Sequence, residues 1–248
     1  MSQYAHLSIL DPEFAEALAL FSPGSGPTQD VAEMQRGFEG LIEMLNERDK
    51  ALFPCASELR IEDHKVPIDG SKITVRCMIP MPAGDSAGPF LVLVNYHAGG
   101  TFDLALISVM QANVLQGFVI GGLNTDSLWL QQACVEQQVS VVDIDYRLAP
   151  EFPWPIQHED SYTALKWVVE NTAILRADLS KGFIVGGTSA GGNISASLAL
   201  RARDDPFFQG RPLTGQLLQI PPTVSPSTSR TKLISMDMPL DISGFADK

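Results

Sequence analysis

Along most of the chain, short and wholly apolar runs alternate with segments whose apolar side chains recur at every third or fourth position. The apolar runs are typical of strands buried on both faces of a sheet. They fall at residues 89–96, 138–144, 183–185 and 217–220. The recurring spacing predicts helices over residues 160–170 and 194–203. Buried strands that alternate with helices indicate an α/β fold built on a mostly parallel sheet.

The first fifty residues have a different pattern, in which helical spacing occurs without a buried-strand run. Two helices are predicted there, and the second starts at Thr28 or Asp30 and ends near Asp49. We expect residues 1–50 to form an N-terminal helical cap on a core formed by residues 51–248. The cap can serve as a simple packing layer or as a lid over a pocket.

The residues after the predicted cap change to the pattern of short strands. Two of these strands, residues 59–68 and 72–79, flank Asp69 and Gly70, a pair that is a strong hairpin signal. We therefore expect the core to begin with an antiparallel hairpin, with His64 on its first strand.

Residues 187–191 read Gly-Thr-Ser-Ala-Gly and match the pattern Gly-x-Ser-x-Gly, directly after a predicted strand and directly before a predicted helix. That context is what a nucleophile elbow requires. In such an elbow the serine occupies a strained turn, so the residues two before and two after it must be small. We therefore expect the hydroxyl of Ser189 to stand at the carboxyl end of the sheet, over the start of a helix.

The first of the long apolar runs ends in Tyr-His-Ala-Gly-Gly, residues 96–100, about ninety residues before Ser189. This oxyanion loop resembles the His-Gly-Gly-Gly loop of lipases and esterases. Such a loop exposes backbone N–H groups, and its glycines let the backbone approach an oxyanion. With the N–H group of Ala190 it would form an oxyanion hole. Taken alone, the segment can also be an ordinary turn after a strand.

A third signature lies between these two. Residues 145–151 read Asp-Tyr-Arg-Leu-Ala-Pro-Glu, and Glu159 and Asp160 follow. Together and in this order, the three signatures resemble the hormone-sensitive-lipase-like branch of the α/β-hydrolase superfamily. That branch includes arylacetamide deacetylases and many microbial and fungal carboxylesterases. The likeness covers residues 90–224.

The resemblance implies the α/β-hydrolase fold and a serine esterase that acts on short or bulky apolar esters without a metal or a cofactor. It implies Ser189 as the nucleophile and Gly99, Gly100 and Ala190 as the oxyanion donors. His97 would orient the oxyanion loop rather than act as the base. Three further residues would tie the loop after their strand to the scaffold, namely Asp145, Arg147 and Glu151.

The chain departs from the family pattern beside the oxyanion loop. In the family the loop runs straight on to a segment like residues 119–122, but here residues 101–117 intervene. An insertion of 17 residues exceeds ordinary loop lengths. One hypothesis is an intron translated in frame, since 17 codons make 51 nucleotides and both ends can encode splice signals. The alternative is a real lid or membrane-contact loop.

A second departure concerns the catalytic base. In this fold an acid and then a histidine follow the serine along the chain. The sequence has four histidines, and all of them precede Ser189. These are His6, His64, His97 and His158. We interpret His158 as a surface residue. Residues 221–248 are too few for the remaining strands, so we expect the C-terminal strands and helices to be missing and an apolar sheet edge to be open.

Composition and net charge limit the kinds of molecule that the protein is expected to bind. The net charge of −12 argues against nucleic acids and anionic membranes as main partners. Three separated cysteines and an N-terminus without a secretory signal indicate reduced thiols in a cytoplasmic protein. Residues 104–125 carry no charge, but they contain too many polar side chains and glycines for a good membrane span. Whether the chain forms a homodimer stays open.

Three hypotheses about function follow. The first is a carboxylesterase or deacetylase that forms an acyl-enzyme on Ser189, with tailoring of secondary metabolites in fungi as a family analogy. The second is a non-catalytic module that binds a small molecule, and the third is an inactive, truncated product. A histidine after Ser189 in a longer transcript favours the first, ligand-induced stabilisation without turnover favours the second, and aggregation favours the third.

Overall fold

The computed structural model describes residues 30–81, 88–99 and 117–223. The first predicted cap helix, nearly all of the predicted insertion and the C-terminal tail therefore lie outside the described residues. The strands are β1 (Leu59–Ile68), β2 (Ser71–Pro80), β3 (Val92–Tyr96), β4 (Ser140–Asp145), β5 (Phe183–Thr188) and β6 (Gly215–Gln219). The α-helices are α1 (Val31–Arg48), α2 (Ser127–Glu136), α3 (Ile156–Glu170) and α4 (Ala190–Asp204).

The described strands form one mostly parallel sheet, which confirms the predicted α/β fold. Their order is β1-β2-β4-β3-β5-β6, with β4, β3, β5 and β6 parallel. The hairpin of β1 and β2 is antiparallel, and so is the pairing of β2 with β4. Gly70 has a φ of +69° in the tight turn between Ile68 and Ser71, a conformation that glycine adopts without strain. His64 lies on β1, as predicted.

Helices cover both faces of the sheet, and this explains why the central strands are apolar throughout. All five residues of β3 are buried. On one face, β3 and β5 pack against Leu165 of α3 and Ile194 of α4. On the other face, Leu130 and Cys134 of α2 pack against Leu93. Helix α2 was not predicted, because a helix of ten residues with three buried side chains gives only a short periodic signal.

Two predicted helices begin four residues earlier than expected. Helix α3 starts at Ile156 and α4 at Ala190, whereas apolar spacing alone placed their starts at residues 160 and 194. In α4 the first turn consists of alanine, glycine and asparagine, which carry no apolar pattern. The chain therefore passes from the elbow into the helix without a connecting loop.

Helix α1 confirms the second helix predicted within the first fifty residues. The Asp30 side chain caps its start by accepting a hydrogen bond from the N–H of Ala32 at 2.9 Å. Met34 and Phe38 pack on the segment that follows the predicted insertion, and Gln35 Nε2 donates to Val119 O at 3.0 Å. Helix α1 thus lies on the continuation of the oxyanion loop.

Strand β6 is the last strand of the sheet within the described part of the chain. Four of its five residues are exposed, including Leu217 and Leu218. No helix in the described ranges combines the length and the apolar character that a membrane crossing requires.

Candidate active site

Ser189 stands between the end of β5 and the first residue of α4, as the elbow motif predicts. Its φ of +53° and ψ of −113° lie in a region that non-glycine residues rarely adopt. Two backbone hydrogen bonds hold the turn. The Ser189 N–H donates to Gln219 O at 2.8 Å, and Ser189 O accepts from the Asn193 N–H at 2.9 Å. The turn is strained, and the strands and helix around it keep it in place.

Two glycines flank Ser189, and both are required by close contacts with the backbone. A Cβ at Gly187 would overlap Tyr96 O and would lie 2.6 Å from the carbonyl carbon of Gly191. A Cβ at Gly191 would overlap the same Tyr96 O and would lie 2.8 Å from His97 O. The elbow therefore sits directly against the end of β3, where the oxyanion loop begins.

His97 is fully buried in the oxyanion loop and is held by its neighbours. Its Nδ1 lies 2.8 Å from Ala98 O, and its ring stacks on the Tyr146 ring with 4.1 Å between centroids. The Tyr146 hydroxyl donates to His97 O at 2.8 Å. Burial lowers the pKa of His97, which favours the neutral imidazole. These contacts fit the predicted orienting role of His97.

The two ends of the undescribed segment 100–116 meet beside the elbow. Gly99 O accepts a hydrogen bond from the Val119 N–H at 2.9 Å, so the chain closes up on either side of the segment. Gly117 then lies against the residue after the nucleophile. A Cβ on Gly117 would stand 3.1 Å from the Cβ of Ala190. Gly99, Gly117 and Ala190 are thus brought together.

The position of Gly117 bears on the predicted boundary of the insertion, residues 101–117, which stays a prediction. Gly100, the predicted oxyanion donor, lies outside the described residues. Because residues 100 and 117 are both glycine, removing 100–116 leaves the same sequence as removing 101–117. The sequence could not distinguish these two boundaries. Among the described residues, Gly117 lies beside Ala190.

The loop after β4 is tied to the scaffold through Arg147, one of the three residues for which the resemblance implies this. The Arg147 guanidinium donates to both carboxylate oxygens of Asp160, at 2.8 and 2.7 Å. Asp160 is only 2% exposed, so this ion pair is almost wholly removed from water on the carboxylate side. Glu151, by contrast, is exposed. The structure shows the expected tie for Arg147.

The prediction that His158 is a surface residue is wrong. Its side chain is half-buried, with Nε2 3.1 Å from Asn193 Oδ1 and its ring edge-on to Phe118 at 5.5 Å. Burial is the main cause that lowers the pKa of His158. The prediction failed because the sequence does not show that α3 and α4 meet here. His64 lies instead beside Trp167, at 5.5 Å between ring centroids.

A buried polar cluster lies beneath the oxyanion loop. Asn95 Nδ2 donates to Asp143 Oδ1 at 2.8 Å and to Asp126 Oδ2 at 3.2 Å. Asp143 is fully buried, and this desolvation raises its pKa well above the usual range. The described residues contain no group of three or more histidine, cysteine or acidic side chains that could hold a metal ion.

A cavity of about 300 Å³ separates α1 from residues 121–125. Arg76 and Asp145 form part of its wall, and Arg76 donates to Asp63 at 2.8 Å and to Asn124 at 3.0 Å. The elbow does not line this cavity. Helix α1 therefore covers a pocket, and Ser189 lies outside the lining of that pocket.

The described residues combine a strained serine between a strand and a helix, glycines packed around it, and a mostly parallel sheet. These features define an α/β hydrolase. The profile of a protein family with the α/β-hydrolase fold matches residues 116–241. The chain belongs to this family, in its hormone-sensitive-lipase-like branch.

Three proteins show how similar the chain is to members of this fold. Carboxylesterase NlhH of Mycobacterium tuberculosis is 41% identical over 169 residues, which are 68% of this chain and 46% of NlhH. The crystal structure of vibralactone cyclase has a TM-score of 0.80 and 35% identity, covering 92% of this chain and 62% of that one. Versiconal hemiacetal acetate esterase of Dothistroma septosporum is 29% identical over 136 residues, 55% of this chain and 36% of that protein. The chain thus spans about half the length of the curated relatives it matches.

Proposed function

We propose that this protein is a serine carboxylesterase. In the proposed reaction, Ser189 Oγ attacks the carbonyl carbon of an ester, the alcohol leaves, and water hydrolyses the resulting acyl-enzyme. The observation that carries the proposal is the conformation of Ser189. A strained φ of +53°, enforced by Gly187 and Gly191, keeps the serine in a turn at the start of α4. Such strain is stored at sites where it serves the chemistry.

The oxyanion that forms during attack needs N–H donors that have no other partner. The N–H of Ala190 meets this need, because the first N–H groups of a helix have no acceptor within the helix. We assign the remaining donors to Gly99 and to Gly117, which takes the place that Gly100 would hold in an uninterrupted loop. Each such donor is worth about 10²–10³ in turnover. The positive end of the α4 dipole favours the same negative charge.

The proton of Ser189 needs an acceptor, and here a second candidate function gains support. The described contacts of His64, His97 and His158 do not include Ser189. A protein of this fold in which Ser189 had no base would bind esters or similar small molecules without cleaving them. The second candidate is therefore a binding module of the same fold.

The proposed substrate is a small ester with a short or bulky apolar acyl group. One relative is named for an acetate ester, and we extend to this chain an acetylated secondary metabolite as the substrate class. The proposal includes a cytoplasmic location, without nucleic acids or membranes as partners. The location rests on three cysteines that form no disulfide, and the exclusion of nucleic acids and anionic membranes rests on the net charge of −12.

The inserted segment is proposed to be a translated intron rather than a working lid. The hydrogen bond of 2.9 Å from the Val119 N–H to Gly99 O supports this, because the loop closes as if the segment were absent. Comparison of the genomic sequence with the transcript tests the proposal. A mature transcript that retains all 51 nucleotides in cells that make the protein would overturn it.

The esterase proposal is tested by hydrolysis of p-nitrophenyl acetate, with Ser189→Ala as the matched control. The expected result is turnover that the substitution removes, while the thermal unfolding midpoint of the variant stays near that of the parent. Equal rates for both proteins would contradict the proposal. Stabilisation of both proteins by a non-hydrolysable ester analogue, without turnover, would support the binding module instead.

A further inference from the structure

His158 lies where two parts of the site meet. It belongs to the first turn of α3, and it contacts Asn193 in the first turn of α4. On its other side its ring meets the edge of Phe118. Phe118 belongs to residues 117–119, which we name the return segment because they follow the inserted residues. No signature of the family includes this histidine, and no pattern in the sequence assigns it a role.

The hydrogen bonds around Asn193 determine which nitrogen of His158 carries the proton. Asn193 Nδ2 donates to Pro222 O at 2.7 Å, so the Oδ1 atom is the one that faces His158. Because an amide oxygen only accepts, His158 Nε2 must donate, and the 3.1 Å contact requires the Nε2–H tautomer. Asn193 also donates its N–H to Ser189 O at 2.9 Å. Asn193 thus links the His158 imidazole to the backbone of Ser189.

The other ring nitrogen is buried. His158 Nδ1 has no hydrogen-bond partner among the described residues, so a proton placed there would lose its hydration without compensation. The charged groups near the imidazole are Glu159 on its own helix and Arg201 on α4, which pair with each other at 2.8 Å. The imidazole therefore works as a neutral group, a donor at Nε2 and an aromatic surface.

The return segment needs support of this kind. Phe118 has a φ of +70° and is only 5% exposed, a strained conformation that its surroundings must enforce. The residue before it, Gly117, stands against Ala190. A shift of Phe118 would therefore move Gly117 relative to the residue that follows the nucleophile.

We infer that His158 is a positioning residue, which joins the return segment to the nucleophile helix and so fixes Gly117 relative to Ala190. It acts through Phe118 on one side and through Asn193 on the other. This inference rests on the proposed function and deepens it, because Gly117 and Ala190 are the proposed oxyanion donors. An oxyanion hole stabilises the transition state more than the bound ester, so a loss of positioning lowers kcat more than it raises KM.

The test compares two variants of His158 with a control on the same helix pair. His158→Phe keeps an aromatic surface but loses the Nε2 donor, and His158→Gln restores an N–H donor without the ring. Glu159→Gln breaks the exposed ion pair with Arg201 and leaves the His158 contacts in place. For p-nitrophenyl acetate we expect about a tenfold lower kcat in His158→Phe with little change in KM. His158→Gln recovers part of the loss, and Glu159→Gln stays at the parental kcat.

An unchanged kcat in His158→Phe, or an equal loss in Glu159→Gln, would overturn the inference. If His158→Phe does not fold, the comparison of His158→Gln with Glu159→Gln decides in the same way. A second readout does not depend on esterase activity. In ¹⁵N-labelled protein the parent shows the Nε2–H tautomer, and His158→Gln shifts the amide signals of Gly117 and Ala190 while Glu159→Gln does not. Unmoved amide signals would overturn the inference even where Ser189 shows no turnover, and shifted signals without turnover would refute the esterase proposal alone.

Discussion

The nucleophile elbow and helix α1 each contain two closely spaced glycines, yet the two pairs serve different purposes. In the elbow, a Cβ at Gly187 or Gly191 would overlap the carbonyl oxygen of Tyr96. In α1, a Cβ at Gly37 or Gly40 would meet no atom within 4 Å. The same residue type therefore marks a required close approach in one region and an open surface in the other.

The two regions also differ in how their charges are placed. The Arg147–Asp160 pair beside the site has an almost fully buried carboxylate, whereas the Arg48–Asp49 pair at the end of α1 keeps 66% of the arginine side chain exposed. None of the residues of α1 is buried. We therefore expect substitutions around the elbow to cost more stability than substitutions on the exposed positions of α1.

The largest expected effect is that of Gly191→Ala. The new methyl group would overlap backbone atoms of β3, which cannot move away as a flexible side chain could. We expect a loss of more than about 3 kcal/mol in the free energy of unfolding, at the upper end for overpacked sites. Urea denaturation measures it, with Gly40→Ala as the control of the same chemistry. Similar free energies of unfolding for the two variants would contradict the contrast between the elbow glycines and the glycines of α1.

Arg147→Met is the next test and removes one partner of the buried ion pair. Asp160 would stay buried without its bidentate donor, so we expect a loss of about 3 kcal/mol in the free energy of unfolding. Arg48→Met breaks the exposed Arg48–Asp49 pair of α1, and we expect no measurable change in the free energy of unfolding. Thermal and urea unfolding of both variants give the answer. A loss of equal size in Arg48→Met would contradict the contrast between the regions.

Asp143→Asn tests the buried carboxyl beneath the oxyanion loop through pH. Burial raises the pKa of Asp143 above its unfolded value, so the folded state holds the extra proton in the window between the two values. Parental stability therefore falls as the pH rises through that window, and the variant lacks this fall. We expect the difference in the free energy of unfolding, variant minus parent, to rise by about 1–2 kcal/mol from pH 4 to pH 8. Urea denaturation at both pH values measures the gain, and Glu43→Gln in α1 serves as an exposed control. Parallel pH profiles for Asp143→Asn and the parent would contradict this account.

The smallest expected effect is a gain in stability from Gly37→Ala. The helix interior at this position has room for the methyl group, and alanine loses less backbone entropy than glycine on folding. We expect about 0.5–1 kcal/mol of added stability in urea denaturation. A clear loss would show that α1 contacts other parts of the protein at this glycine.

The sequence predicted those features that a short motif carries. The Asp69-Gly70 turn depends on local sterics, because Gly70 adopts a φ of +69°. The elbow glycines are recognisable from the Gly-x-Ser-x-Gly pattern, although the atoms that require them belong to Tyr96 and His97.

His158 and Gly117 could not be predicted in the same way. The place of His158 depends on how α3 meets α4, and the contact of Gly117 with Ala190 depends on how residues 117–119 lie against the elbow.

The central claim is that Ser189 is a poised nucleophile, and covalent trapping tests it most directly. A fluorophosphonate reacts when a serine oxygen attacks phosphorus and fluoride leaves. Intact-mass analysis of the 248-residue chain should show a single phosphonyl adduct, which peptide mapping locates on Ser189 and which Ser189→Ala lacks. A chain that stays unmodified at reagent concentrations that label a known serine esterase, or an adduct that persists in Ser189→Ala, would contradict the account.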